Sequence, residues 1–268
     1  MRSVARLPAR IPTLLVGLVV ALAVIYLVAP IIVVVMTSFT STGYLAFPPH
    51  GFSLRWYGNI GRSQEFINGF LTSVALASCA VSIVCAIGIP AAIGLYRSPG
   101  MFSRALGQLF LSPLVLPAVV FGVGYLVALH RAGYFGTFAG ALLAHCVLTT
   151  PFVVRSVGAG LAEIDPAYED AAQSLGASPL RGFFRVTLPL MRSSIIVGAI
   201  FAFIISFDET VVTLFLVGPH FNTLPVRIFT YIQYSDDPTI AAISTALVLM
   251  SILILFVVSR VTAIGNLV

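Results

Sequence analysis

Few side chains in this chain could do chemistry, and their types exclude most of it. Lysine and arginine together number 14, and every one is arginine. A P-loop sets a lysine on the β- and γ-phosphates of a nucleotide, so no ATP site of that kind fits this chain. The histidines His50, His130, His145 and His220 are far apart in sequence, and neither HExxH nor GxSxG occurs. Cys79, Cys85 and Cys146 fall inside apolar runs, at spacings that suit neither a metal site nor a disulfide framework. They read as small buried hydrophobes. No catalytic, cofactor-binding or metal-binding residue is assigned, so any driving energy must come from a partner or an ion gradient. What remains is acidic. Glu163, Asp165, Glu169 and Asp170 sit together in one polar stretch, and Asp208-Glu209 sits in a later apolar run.

The elements that must position these groups are membrane spans. Hydrophobic residues make up 59% of the 268 and charged residues only 9%, against roughly 25% charged in soluble chains. The net charge of +5 comes from scattered arginines, without the basic stripe and interleaved aromatics of a nucleic-acid binder. Arg2, Arg6 and Arg10 precede an apolar run of a length that crosses a hydrocarbon core of ~30 Å, longer than the ~7–15 residues of a signal peptide. The expectation is an all-α integral membrane protein of one transmembrane domain over 1–268. Its six spans fall at about 11–36, 66–96, 106–129, 137–157, 190–217 and 240–259, with a polar loop at 158–189.

Local signals refine this. Phe52–Tyr57, read as FSLRWY, is an amphipathic segment whose Trp56 and Tyr57 suit the headgroup level. Arg97-Ser98-Pro99-Gly100 is a turn after span two. Pro113 and Pro117 are expected to kink span three, either for ordinary packing or to line an aqueous path. His145, inside span four with no acid nearby, reads as either a hydrogen-bonded packing group or a functional site. The segment 218–239 is read as an outer loop. With a cytoplasmic N-terminus, Arg2, Arg6, Arg10, Arg97, Arg104, Arg155, Arg181, Arg185, Arg192 and Arg260 lie inside, and Arg55, Arg62, Arg131 and Arg227 outside. That excess agrees with the positive-inside rule and puts both termini and the 158–189 loop in the cytoplasm.

The loop reads LAEIDPAYEDAAQSLGASPLRGFFRVTLP over 161–189. Asp165 can cap a helix whose first turn takes Pro166. Glu169 and Asp170 fall where the helix dipole favours negative charge. Gly176 supplies a left-handed stop and allows close approach of the following helix, and Ser178-Pro179 starts another. Leu161, Ile164, Tyr168, Leu175, Phe183 and Phe184 offer an apolar handle. The spacing Asp170-Ala171-Ala172, Gly176, Val186, Leu188-Pro189 resembles the cytoplasmic loop of permease subunits in ATP-binding-cassette importers that work with a separate solute-binding protein. Asp170 stands where that pattern has Glu, and Val186 where it has Ile.

Ser206-Phe207-Asp208-Glu209, Leu224-Pro225-Val226 and Asp237–Ala242 resemble, within that family, the second permease of the spermidine/putrescine group. The resemblance implies a type I importer permease in a bacterial inner membrane, with a short cytoplasmic coupling helix. It implies as partners a cytoplasmic ATPase dimer holding ATP and Mg, a second homologous permease, a periplasmic solute-binding protein and membrane lipid, but no nucleic acid. ATPase coupling would fall to Asp165, Pro166, Tyr168, Glu169, Asp170, Ala171, Ala172, Leu175, Gly176, Leu188 and Pro189. A polyamine is the leading solute, with 2-aminoethylphosphonate, ferric ion, opine and amino-acid-like solutes as alternatives. Asp208 and Glu209 have three open readings: a vestibule for a cationic solute, an interface with another subunit, or a helix end at the membrane surface. Two rivals of other classes are an ion-driven secondary transporter and a non-conducting scaffold or assembly protein.

Overall fold

A computed structural model describes residues 10–98, 100–219 and 221–265. Arg2, Arg6 and Pro99 lie outside the described residues. The described chain is helical, with a single isolated bridge between Gly218 and Phe221 in place of a sheet. It divides into two compact units, one from the residues up to Ser63 with Tyr231–Arg260 and one spanning Gln64–Thr230.

In the first unit, α1 (Arg10–Thr37) is apolar over most of its length, and from Val16 to Met36 none of its residues is buried. A helix with no polar face has its sides turned to lipid or to another apolar surface. Its C-terminal end is tied down by polar bonds. Tyr57, on α2 (Arg55–Arg62), shares a 2.7 Å hydrogen bond with Ser38, and Trp56 donates its indole N–H to the Thr40 carbonyl at 2.8 Å. Trp56 is therefore buried: an indole N–H taken out of water needs an acceptor, and Thr40 supplies it.

The second unit is built on α3 (Gln64–Arg97). Its buried positions Phe66, Gly69, Ser73, Leu76, Ala80, Val84, Gly88 and Ala92 recur at helical spacing and form one packed face. α4 (Met101–Leu111) ends in a 3-10 turn at Ser112–Leu114, and α5 (Ala118–Ala132) leaves at 101°. The stretch expected to be span three is thus a pair of helices with a sharp bend rather than one kinked helix. Pro113 and Pro117 each remove a backbone donor, and Pro117 has left the helical region at ψ 132°. α6 (Phe138–Ala162) is capped by Thr137, which accepts the Gly140 N–H at 3.1 Å. It runs past the expected end at 157.

After α6 come α7 (Ala167–Ser174), α8 (Pro179–Gly182), a π-helical turn at Phe183–Thr187, α9 (Leu188–Leu190) and α10 (Arg192–Asp208). The Pro179–Leu190 segment meets α10 at 62°. α10 stops at Asp208, short of the expected 217, because Glu209 turns extended (φ −67°, ψ 108°) and its carboxylate accepts the Val212 N–H of α11 (Val211–Leu214) at 2.8 Å. The loop expected over 218–239 contains α12 (Leu224–Tyr234), entered through Pro225 in its first turn. α13 (Thr239–Gly265) closes the chain.

Small residues let the central helices of the second unit touch. A Cβ at Gly198 would lie 3.0 Å from Ser156 Cβ, and one at Gly160 would collide with Ser194 Oγ. Ser156 donates to the Ser194 carbonyl at 2.7 Å across the same contact. This is the packing expected of helices in lipid, where close approach and interhelical hydrogen bonds replace hydrophobic drive. Val84, Ala92, Val153, Val157, Leu161, Met191 and Ala202 form the core beside it. Cys85 and Cys146 pack against that core half-buried, whereas Cys79 is exposed, correcting its expected burial.

Val16–Thr37, Gln64–Arg97 and Phe138–Ala162 are each long and apolar enough to cross a membrane, and the two bent pairs raise the number to five. Thr239–Ile254 is apolar but shorter. The chain is an all-α, multi-pass membrane protein.

Candidate functional site

The short helix α7 in the 158–189 loop is held at both ends by local hydrogen bonds that its sequence prescribes. Asp165 Oδ1 accepts the Ala167 N–H at 2.9 Å, and the Asp165 carbonyl accepts the Tyr168 N–H at 3.1 Å. Pro166 occupies the cap position and α7 begins one residue later, so Asp165 acts from just outside the helix. At the other end the Ala177 N–H reaches the Ala172 carbonyl at 3.0 Å, and the Gly176 N–H reaches Gln173 at 2.9 Å. These two bonds with Gly176 at φ +87° make a Schellman stop. Nothing lies within 4 Å of a Cβ built on Gly176, so the expected close approach is absent and only its left-handed backbone calls for glycine. Ser178 then accepts the Arg181 N–H at 3.4 Å and starts α8.

The faces of α7 divide its residues. Tyr168 is 57% exposed and Leu175 90% exposed, with Asp170 and Ala171 also exposed. Glu169 and Ala172 turn inward, half-buried. Glu169 pairs with Arg97 at the end of α3 and accepts from the hydroxyl of Thr187, which is buried in the π-helical turn. The Arg97 guanidinium also stands 5.5 Å from the centre of the Phe183 ring. Two adjacent acids of one sequence pair thus face opposite ways. Leu188 is half-buried and Pro189 exposed at the entry to the α10 segment. Leu161 belongs to the core and Ile164 packs against it, so neither is available as an outer handle, while Phe184 is exposed.

The later polar residues form a second group where α10 breaks. His145 is fully buried in α6; Nδ1 shares a 2.8 Å hydrogen bond with Ser206 of α10 and Nε2 a 3.0 Å bond with Thr213 of α11. Both ring nitrogens are satisfied, which agrees with the packing reading. Asp208-Glu209 is split in role: Glu209 caps α11, whereas Asp208 is exposed at the last residue of α10. The earlier helix end matches the third expectation in its backbone. Nothing local in the sequence links His145 to Ser206 or Thr213, which lie 61 and 68 positions away. Among the described residues, no group of three His, Cys, Asp or Glu side chains is placed to hold a metal ion.

Residues 1–265 match the family described as "Binding-protein-dependent transport system inner membrane component". The chain is 35% identical over 228 residues to the putrescine transport system permease protein PotI of Escherichia coli K12, covering 82% of this chain and 80% of that protein. It is 29% identical over 241 residues to the spermidine/putrescine permease PotC of Haemophilus influenzae, covering 90% and 93%. It is also 29% identical over 241 residues to a putative 2-aminoethylphosphonate permease, PhnV, of Salmonella paratyphi A, covering 89% and 90%. Among solved structures, a bacterial importer of the polysaccharide alginate matches with TM-score 0.69 at 14% identity over 95% of this chain and 96% of that one. The MetNI methionine transporter matches with TM-score 0.64 at 19% identity over 75% and 95%.

Proposed function

The chain belongs to the family of inner-membrane components of binding-protein-dependent transport systems, and from that membership we propose that it forms half of a polyamine pathway driven by a separate ATPase. As a permease subunit it is not itself a catalyst. It crosses the membrane six times as one domain over 1–268, the bent pairs counting as spans three and five and α13 as the sixth, with both termini in the cytoplasm. Its partners are a second, similar permease, a cytoplasmic ATPase dimer holding ATP and Mg, and a periplasmic solute-binding protein.

One observation carries this reading: α7 is stiffened at both ends and carries Tyr168 and Leu175 exposed beside Asp170. Asp165, Pro166 and Gly176 set the geometry of that helix, and Ala171 and Ala172 let partner and core approach closely. Leu188 and Pro189 lead its motion into α10. A groove on the ATPase that grips such a helix moves the spans joined to it. Exposed aromatic and aliphatic side chains flanked by an acid suit a partner groove that is apolar with a basic rim.

The polyamine class rests on the similarity to the putrescine permease at 35% identity. Asp208 supports it as an exposed carboxylate at the end of an apolar helix, where it favours a cationic solute. A second reading, 2-aminoethylphosphonate, is supported by the 29% identity to PhnV. Calorimetric titration of the partner solute-binding protein with putrescine, spermidine and 2-aminoethylphosphonate separates them. Tight binding of a polyamine is expected; tight binding of the phosphonate with no polyamine response overturns the solute. Asp208→Asn should lower putrescine uptake while the ATPase stays bound, and unchanged uptake removes Asp208 from the path.

A further inference from the structure

Through its carboxylate Glu169 joins three elements. Its Oε1 takes the guanidinium of Arg97, the last residue of α3, and the hydroxyl of Thr187, which sits in the π-helical turn at the root of α10. Covalently, α7 is connected to α6 on one side and to α8–α10 on the other. α3 is 72 residues away along the chain at the Arg97–Glu169 pair. We propose that Arg97, Glu169 and Thr187 form a strut that carries movement of α7 into α3, so that span two moves with the coupling helix.

This rests on the reading of α7 as the ATPase-coupling helix and adds the route by which its motion leaves the loop. The side chains of Arg97 and Glu169 are 42% and 26% exposed, and a cavity of about 170 Å³ bounded by Tyr96, Arg97, Leu161, Ile164, Glu169 and Thr187 opens beside them. An ion pair this close to water gives little net stability, so its worth here lies in geometry. Charge at the end of α3 suits that role, because a cation is favoured at a helix C-terminus and an anion in the first turn of α7. The Phe183 ring beneath Arg97 keeps the guanidinium over the turn that carries Thr187. Asp170, facing out, is left for the ATPase. The two acids therefore divide the work, one gripping the partner's side and one transmitting inward.

The test uses the assembled importer in nanodiscs, with Cys79, Cys85 and Cys146 replaced and spin labels at Gln173 and Ser98. In the parent chain one distance distribution between α7 and the foot of α3 is expected, unchanged between nucleotide-free and ATP-trapped states. Arg97→Gln should keep the ATPase bound but let the distribution shift when ATP is trapped. The same variant should lose at least about fivefold in putrescine uptake per ATP hydrolysed, the lower end of ordinary coupling energies. Exchanging the charges, Arg97→Glu with Glu169→Arg, should restore the single distribution. An Arg97→Gln chain that still moves as one body, or an exchanged pair that binds the ATPase yet moves like Arg97→Gln, overturns the strut. The distance readout needs no solute, so a wrong solute class does not affect it. A parent chain that co-purifies with no P-loop ATPase overturns the coupling role and the strut with it, before any variant is made.

Discussion

Replacing Gly176 by alanine isolates one physical effect. No atom lies within 4 Å of the added Cβ, so packing is unaffected, but φ is +87°, where an L side chain meets its own carbonyl. That conformation costs a non-glycine residue roughly 1–2 kcal/mol, which at 1.4 kcal/mol per decade lowers the population of the closed stop by about 5- to 30-fold. The amides that report it are those of Leu175, Gly176 and Ala177, which bond to Ala171, Gln173 and Ala172. Hydrogen exchange of the purified chain should show their protection falling by about that factor, while α3 and α6 amides are unchanged. Asparagine tolerates the left-handed region better than alanine, so Gly176→Asn should recover part of the loss. Equal protection in Gly176→Ala and the parent refutes the argument, because the strain would then be relieved by a different backbone. Equal loss in the Ala and Asn variants also refutes it, since the effect would be steric.

Other expectations follow from buried polar partners. His145→Ala leaves Ser206 and Thr213 facing an empty site, and the detergent-solubilised chain should lose about 1–3 kcal/mol of stability. His145→Gln keeps one bond and should lose less; equal melting of parent and His145→Ala contradicts this. Trp56→Phe removes the only donor described for the Thr40 carbonyl and should cost about 1–2 kcal/mol in thermal unfolding. At Asp237, burial raises the carboxyl pKa, but hydrogen bonds from Thr239 and Tyr231 outweigh it and hold the net value below 3.8. A depressed pKa stabilises the folded form above the unfolded value and loses that contribution as pH falls through the folded value. Protection of the Thr239 amide, which donates to Asp237 at 2.8 Å, should therefore be flat down to about pH 4 and fall below it, a trend that Asp237→Asn should abolish.

Local signals were readable mostly where a bond closes within a few residues. Asp165-Pro166, Gly176 and Ser178-Pro179 place α7 and its neighbours because each makes its hydrogen bonds within five positions. The apolar runs of α1, α3 and α6 were readable for the same reason, since length and composition alone decide whether a helix suits lipid. Other features depend on partners far along the chain. Glu169 turns inward because Arg97 and Thr187 wait there, and no spacing rule links residues 72 apart. Trp56 is buried by a bond to a carbonyl 16 residues earlier. The break after Asp208, one of the three open readings, is set locally by Glu209, whose carboxylate accepts the Val212 N–H three residues on. α12 has one local signal, Pro225 in its first turn, set among turn residues that read as a loop.

The central claim is that the exposed face of α7 meets an ATPase on the cytoplasmic side. Leu175, 90% exposed, is replaced by cysteine in a chain without native cysteines and treated with a membrane-impermeant maleimide. Labelling of inside-out vesicles only, blocked when the ATPase is added back, is the result expected. Labelling of right-side-out vesicles, or labelling indifferent to the ATPase, contradicts the account.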